Sequence, residues 1–187
     1  MPDIDIDFVD RESALTHFKH IPASRLDNEN IVKHNTGVYL HEVPVHARTG
    51  LCAVPYKDAE ELGYFKIDFL NVSIYKDVRD ENHLIELMER EPLWELLEHQ
   101  EFVDQVFHLS GHSEILKKLK PTSVEELAAV LAIIRPAKRH LVNESWETIQ
   151  KEVWTKPEDG SYYFKKAHAV SYAMACVVHM NLLCDTI

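Results

Sequence analysis

Pro2-Asp3-Ile4-Asp5-Ile6-Asp7-Phe8 alternates strictly between acidic and apolar side chains, and a period of two is that of a β-strand. Asp3, Asp5 and Asp7 then share one face, with Ile4, Ile6 and Phe8 on the other. Carboxylates at i and i+2 stand about 6.6–6.8 Å apart along a strand and repel each other unless a cation intervenes. Hard divalent ions such as Mg²⁺ take oxygen ligands, and two of them ~3.5–4 Å apart stabilise the attacking and leaving oxygens of a phosphoryl transfer. A D-x-D strand joined by an aspartate from a second strand supplies such a donor set. Alternating aspartates also line ordinary solvent-facing strands, and the pattern alone leaves both readings open.

A second strand follows Gly63. In Tyr64-Phe65-Lys66-Ile67-Asp68-Phe69-Leu70 the alternation sets Phe65, Ile67 and Phe69 against Lys66 and Asp68. Asp68 is the natural third ligand, and Lys66 beside it either neutralises a phosphate or holds the acid. Between these strands, a short helix is expected from Asp10 to about His20, with Asp10 as its N-cap. One or two strands are expected from Ile31 to Val45, then a turn at Thr49-Gly50. Beyond Asn71 the pattern turns helical. Pro92 suits a helix N1 position, Lys120-Pro121 ends one helix, and Ser123-Val124-Glu125-Glu126 has the form of a capping box opening a helix through Ile134. A last helix is expected from about Tyr163 to Cys184. Lys165, Lys166 and His168 crowd its first turns, an odd placement because cations are favoured at helix C-termini.

The formal charge of −11 on 187 residues gives no general attraction for nucleic acid or an anionic membrane. It is unevenly spread: Lys57 to Asp104 carries a net −9, and Lys117 to Arg139 a net +4. The basic segment is the candidate for phosphate contact. Cys52, Cys176 and Cys184 have no C-x-x-C spacing and fit reduced thiols in a cytoplasm. The Met1-Pro2-Asp3 start is not that of a secretory signal, and no membrane-spanning run of ~18 apolar residues is read. Twelve histidines raise a His-based metal site, but His17-x-x-His20 and His41-x4-His46 lack the H-E-x-x-H spacing.

Five collinear segments carry a resemblance. Pro2 to Phe8 resembles the P-D-x-D-x-D-F signature of the bacterial DNA polymerase III alpha subunit, the family C replicative polymerases. Gly63 to Leu70 is similar to that family's glycine-initiated K-x-D-F-L segment. Val106-Phe107-His108-Leu109 resembles V-F-Q-L. Lys120-Pro121 through Leu127 to Pro136 resembles its K-P…R-P-G block, and Phe164-Lys165-Lys166-Ala167-His168-Ala169-Val170-Ser171-Tyr172 resembles F-N-K-S-H-A-x-x-Y.

The resemblance implies a palm of the DNA polymerase β-like type at residues 1–72 and a helical, fingers-derived part at 73–187, an α/β (α+β) chain. It implies that Asp3, Asp5 and Asp68 bind two Mg²⁺ ions, with Asp7 close by. Lys66, Arg135, Lys166 and His168 are implied as contacts to the nucleoside triphosphate, and primer–template DNA as the partner. Ile4, Ile6, Phe8, Ile67 and Phe69 are expected to pack beneath the acids. The family's Gly-Ser-rich phosphate loop, its thumb insertion and its V-Y-Q-E-Q block are not matched. His108 replaces Gln, Ala137 replaces Gly and Ala167 replaces Ser. Two functional expectations follow. One is a fragment that performs DNA synthesis with a complementary polymerase polypeptide or replisome protein, suited to a phage-encoded protein in the bacterial cytoplasm. The other is a non-catalytic remnant or decoy that binds DNA or replisome proteins.

Overall fold

A computed structural model of the chain describes residues 4–157 and 163–186. The chain is α+β and divides into two compact units, Met1–Lys76 and Asp77–Ile187.

The first unit holds β1 (Ile4–Phe8), α1 (Arg11–Leu15), β2 (Ile21–Asp27), β3 (Asn30–Tyr39), α2 (Tyr56–Glu61) and β4 (Ile67–Asn71). The four strands form one mixed sheet in the order β1-β4-β3-β2. β1 runs parallel to β4, and the other pairings are antiparallel. β2 and β3 are a hairpin that the sequence pattern does not announce. Its two-residue turn, Asn28-Glu29, holds both residues at positive φ, 45° and 70°, the twist that suits a two-residue hairpin although glycine is the usual occupant. α1 is shorter than expected, ending at Leu15. The expected cap is there: the Asp10 carboxylate accepts the Ser13 N–H at 3.1 Å.

β1 lies at an edge, and this corrects one expectation. Phe8 stacks on Phe69 at 4.6 Å, and Leu15, Val38 and Phe69 form a buried cluster there. Ile4 and Ile6, however, are 38% and 39% exposed. Leu15 of α1 belongs to the cluster that Phe8 and Ile67 pack against, and Ile4 and Ile6 are not among its members. β4 begins at Ile67, so Phe65 precedes the strand.

The second unit contains α3 (Glu81–Glu89), α4 (Gln100–Val103), α5 (Ser113–Leu119), α6 (Val124–Ile133), α7 (Trp146–Glu152) and α8 (Lys166–Asp185), with 3-10 helices at Trp94–Glu98 and Pro136–Asn143. Pro92 precedes the first of these and is not at N1 of a helix. α8 is long and apolar enough to cross a membrane by length and composition, which the sequence reading did not find; half of that window is buried within the protein. It packs on α6, whose residues from Leu127 to Ile133 are all buried. Asn181 of α8 donates to Leu87 O and Arg90 O, both at 2.9 Å, and so satisfies carbonyls at the end of α3. The V-F-H-L segment is a turn, with His108 at φ 62°. α8 holds it from both sides, because His179 Nδ1 accepts the Phe107 N–H at 3.0 Å and the Cys176 thiol meets the Phe107 carbonyl at 3.0 Å.

The capping box at α6 is modified. Ser123 Oγ accepts the Glu126 N–H at 3.2 Å, while Glu126 reaches back one residue further than the standard box and accepts from Thr122 N at 2.8 Å. Ser123→Ala should lower the unfolding free energy by about 1 kcal/mol, and Ser123→Asn should retain most of it, as measured by urea denaturation.

Candidate functional site

The parallel register pairs Asp5 with Asp68 and Asp7 with Leu70. Partners across adjacent strands point to the same face of a pleated sheet, with strands ~4.8 Å apart. Residues 5 and 68 therefore meet on one face although 62 residues separate them in sequence. Two like charges about 5 Å apart repel by roughly 3 kcal/mol at an effective dielectric of about 20, so this face calls for a cation. Further along β1, partial desolvation and then the charge of Asp5 raise the Asp7 carboxyl above its ordinary range. Asp7 in turn adds to the burial that raises the Tyr75 hydroxyl.

Asp68 is well engaged. The Lys66 ammonium forms an ion pair with Oδ2, and the Thr36 hydroxyl donates to Oδ1 at 2.7 Å. Thr36 and Lys66 thus hold one carboxylate oxygen each. Thr36 is placed by an irregularity in the hairpin: between the pairs Pro22↔Val38 and Ser24↔Lys33 the register shifts, which leaves extra residues on β3. His34 fastens that bulge, with Nδ1 accepting the N–H groups of Gly37 at 2.9 Å and Thr36 at 3.3 Å. The same Nδ1 lies 3.7 Å from Asp68 Oδ1. Burial, and then the Lys66 charge, lower the His34 pKa, consistent with a neutral ring whose Nδ1 lone pair is an acceptor. Gly37 supplies room: a Cβ there would lie 2.6 Å from Lys66 Cδ. The ammonium also stands 5.8 Å from the centroid of the Tyr56 ring. Sequence reasoning missed His34, Thr36 and Tyr56, because no periodicity marks a bulge.

Arg11, 7% exposed, ties the segment after β1 to β4. Its Nε donates to Phe69 O at 3.1 Å, and its backbone N–H to Asn71 Oδ1 at 3.0 Å.

The donors on this face are carboxylate oxygens, that of Asp68 ion-paired with Lys66, and they fit a hard divalent ion. Asp3, the remaining acid of the sequence reading, lies outside the described residues. Among the described residues no group of three or more His, Cys, Asp or Glu side chains is gathered as metal ligands, and the His17/His20 and His41/His46 pairs form no such group.

The other cations named from sequence belong to the second unit. The Arg135 guanidinium lies 5.3 Å from the Phe164 ring centroid, and its buried Nε has no hydrogen-bond partner among the described residues. Lys166 is exposed at the start of α8 and lines a cavity of about 290 Å³ with Trp146, Trp154 and Glu126. His168 is half-buried in the same turn.

The first unit is thus an α+β sheet with paired carboxylates on one face. Over 91 residues, covering 41% of this chain, the sequence is 34% identical to the DNA polymerase III subunit alpha of Aquifex aeolicus (strain VF5). The chain spans only 8% of the length of that relative. No protein-family model matches the chain, and no solved structure does.

Gly37→Ala should displace Lys66 and cost about 1–3 kcal/mol of stability, read as a lower urea midpoint. In the second unit, burial lowers the pKa values of His112 and His179. The unfolded chain then binds protons first as pH falls below about 6.5. Their neutral forms give full stability above that pH, and it declines toward the folded-state pKa values. The urea midpoint followed by tryptophan fluorescence should be lower at pH 5.5 than at pH 7.5, with a smaller difference in His179→Gln. Trp94, Trp146 and Trp154 all lie in this unit.

Proposed function

We propose that the chain is a reduced relative of the DNA polymerase III alpha catalytic region, taking part in template-directed DNA synthesis together with a complementary polypeptide. The observation that carries this reading is the pairing of Asp5 with Asp68 on one face of parallel strands. The partial likeness to the Aquifex aeolicus protein supports it. Asp5 and Asp68, with Asp3, would hold Mg²⁺; when bound, it supplies charge stabilisation for attack of a primer 3′-hydroxyl on the α-phosphate of a deoxynucleoside triphosphate, with pyrophosphate leaving. The chain's own part is to hold the acids in register across β1 and β4, fix the Asp68 carboxylate through Thr36, and present Lys66 beside it. Arg135, Lys166 and His168 are the cations that this reading assigns to phosphate contact in the second unit. The three cysteines are free thiols, in keeping with a bacterial cytoplasm.

A second reading is a non-catalytic remnant that binds DNA or replisome proteins. It is favoured by the engagement of both Asp68 oxygens by Lys66 and Thr36, which neutralises the acid without a metal. Primer extension separates the two, run with Mg²⁺ and with or without an added amino-terminal palm from a polymerase III alpha subunit. The catalytic reading expects incorporation that falls at least about a hundredfold in Asp5→Asn and Asp68→Asn, a loss of several kcal/mol of transition-state stabilisation. Absence of incorporation under both conditions favours the remnant.

A further inference from the structure

We propose that Lys66 is the resident cation of the carboxylate face in the metal-free protein, and that a divalent ion enters by displacing its ammonium from Asp68. This rests on the metal-binding reading of Asp5 and Asp68 given above.

Three observations lead there. First, Lys66 and Thr36 occupy different oxygens of Asp68, and the two ion-paired side chains are only 16% and 13% exposed. An incoming ion meets a satisfied acid. A divalent ion on Oδ2 and an ammonium in contact with the same oxygen would stand within ~4 Å of each other, where they compete for that oxygen and repel each other.

Second, the two contacts differ in how firmly they are built. Thr36 sits in the bulge that His34 closes through the N–H groups of Thr36 and Gly37, so Oδ1 keeps its donor. Lys66 is a flexible four-carbon stem. Exchange is therefore directed to Oδ2.

Third, the ammonium has a second resting place. Its stem passes over Gly37, where the missing side chain leaves the passage open. The Tyr56 ring centroid lies 5.8 Å from Nζ, within cation–π range. The ammonium makes this contact while paired with Asp68, and keeps it on leaving the carboxylate.

The test uses the whole chain and Mn²⁺, titrated with the free ion read by electron paramagnetic resonance. Lys66→Met should bind Mn²⁺ about tenfold more tightly than wild type, and Asp68→Asn should lose the site. Independently, acylation of Lys66 in the wild-type protein, read by mass spectrometry, should become several-fold faster with saturating Mg²⁺, while the exposed Lys151 is unchanged. The wild-type labelling decides the matter should Lys66→Met fail to fold. Mn²⁺ binding that depends on Asp5 and Asp68, with Lys66 acylation indifferent to Mg²⁺ and Lys66→Met no tighter, would overturn the exchange and leave the metal site standing. Mn²⁺ binding absent, or unaffected by Asp5→Asn and Asp68→Asn, overturns both.

Discussion

The parallel pairing of β1 with β4 is the constraint on which the first unit turns. It brings two carboxylates onto one face at strand spacing, and such a pair is tolerated only beside positive charge. Lys66 supplies that charge from the residue just before β4. On the opposite face the same pairing is held by the Phe8–Phe69 stack, while Arg11 and Asn71 fasten the ends of the two strands. The attraction beneath the sheet and the charge compensation above it act on different residues of the same two strands and of the segments flanking them.

The irregular part of the hairpin is as consequential as the regular part. The β3 residue in register with Asp68 is Gly37, which has no side chain to offer the carboxylate. The bulge turns Thr36 toward the carboxylate, and the His34 ring holds it by accepting two backbone N–H groups. Gly37 serves the same arrangement by leaving space for the Lys66 stem. These residues define the chemistry of Asp68 as closely as the neighbouring acid does.

The second unit shows a different economy. Its core is built on α6 and α8, and the polar groups that enter it are matched to backbone atoms. Asn181 serves carbonyls at the end of α3. His179 and Cys176 hold the turn at Phe107, and Lys138 donates to Glu152 O at 2.7 Å. Buried groups of this kind are costly when unpaired. Among the described residues, the buried Nε atoms of Arg90 and Arg135 have no hydrogen-bond partner and are exceptions in this unit.

The strand at Ile4–Phe8, the strand that carries Asp68 and the capping serine at 123 were legible from the chain alone, because strand period and cap chemistry are local properties. What no local pattern specified was which strands pair and in what direction. Only the tertiary structure sets Asp5 against Asp68, places β1 at an edge where Ile4 and Ile6 stay exposed, and builds the bulge that recruits Thr36 and His34. Those features depend on contacts between residues distant in sequence, and periodicity carries no information about a partner's register.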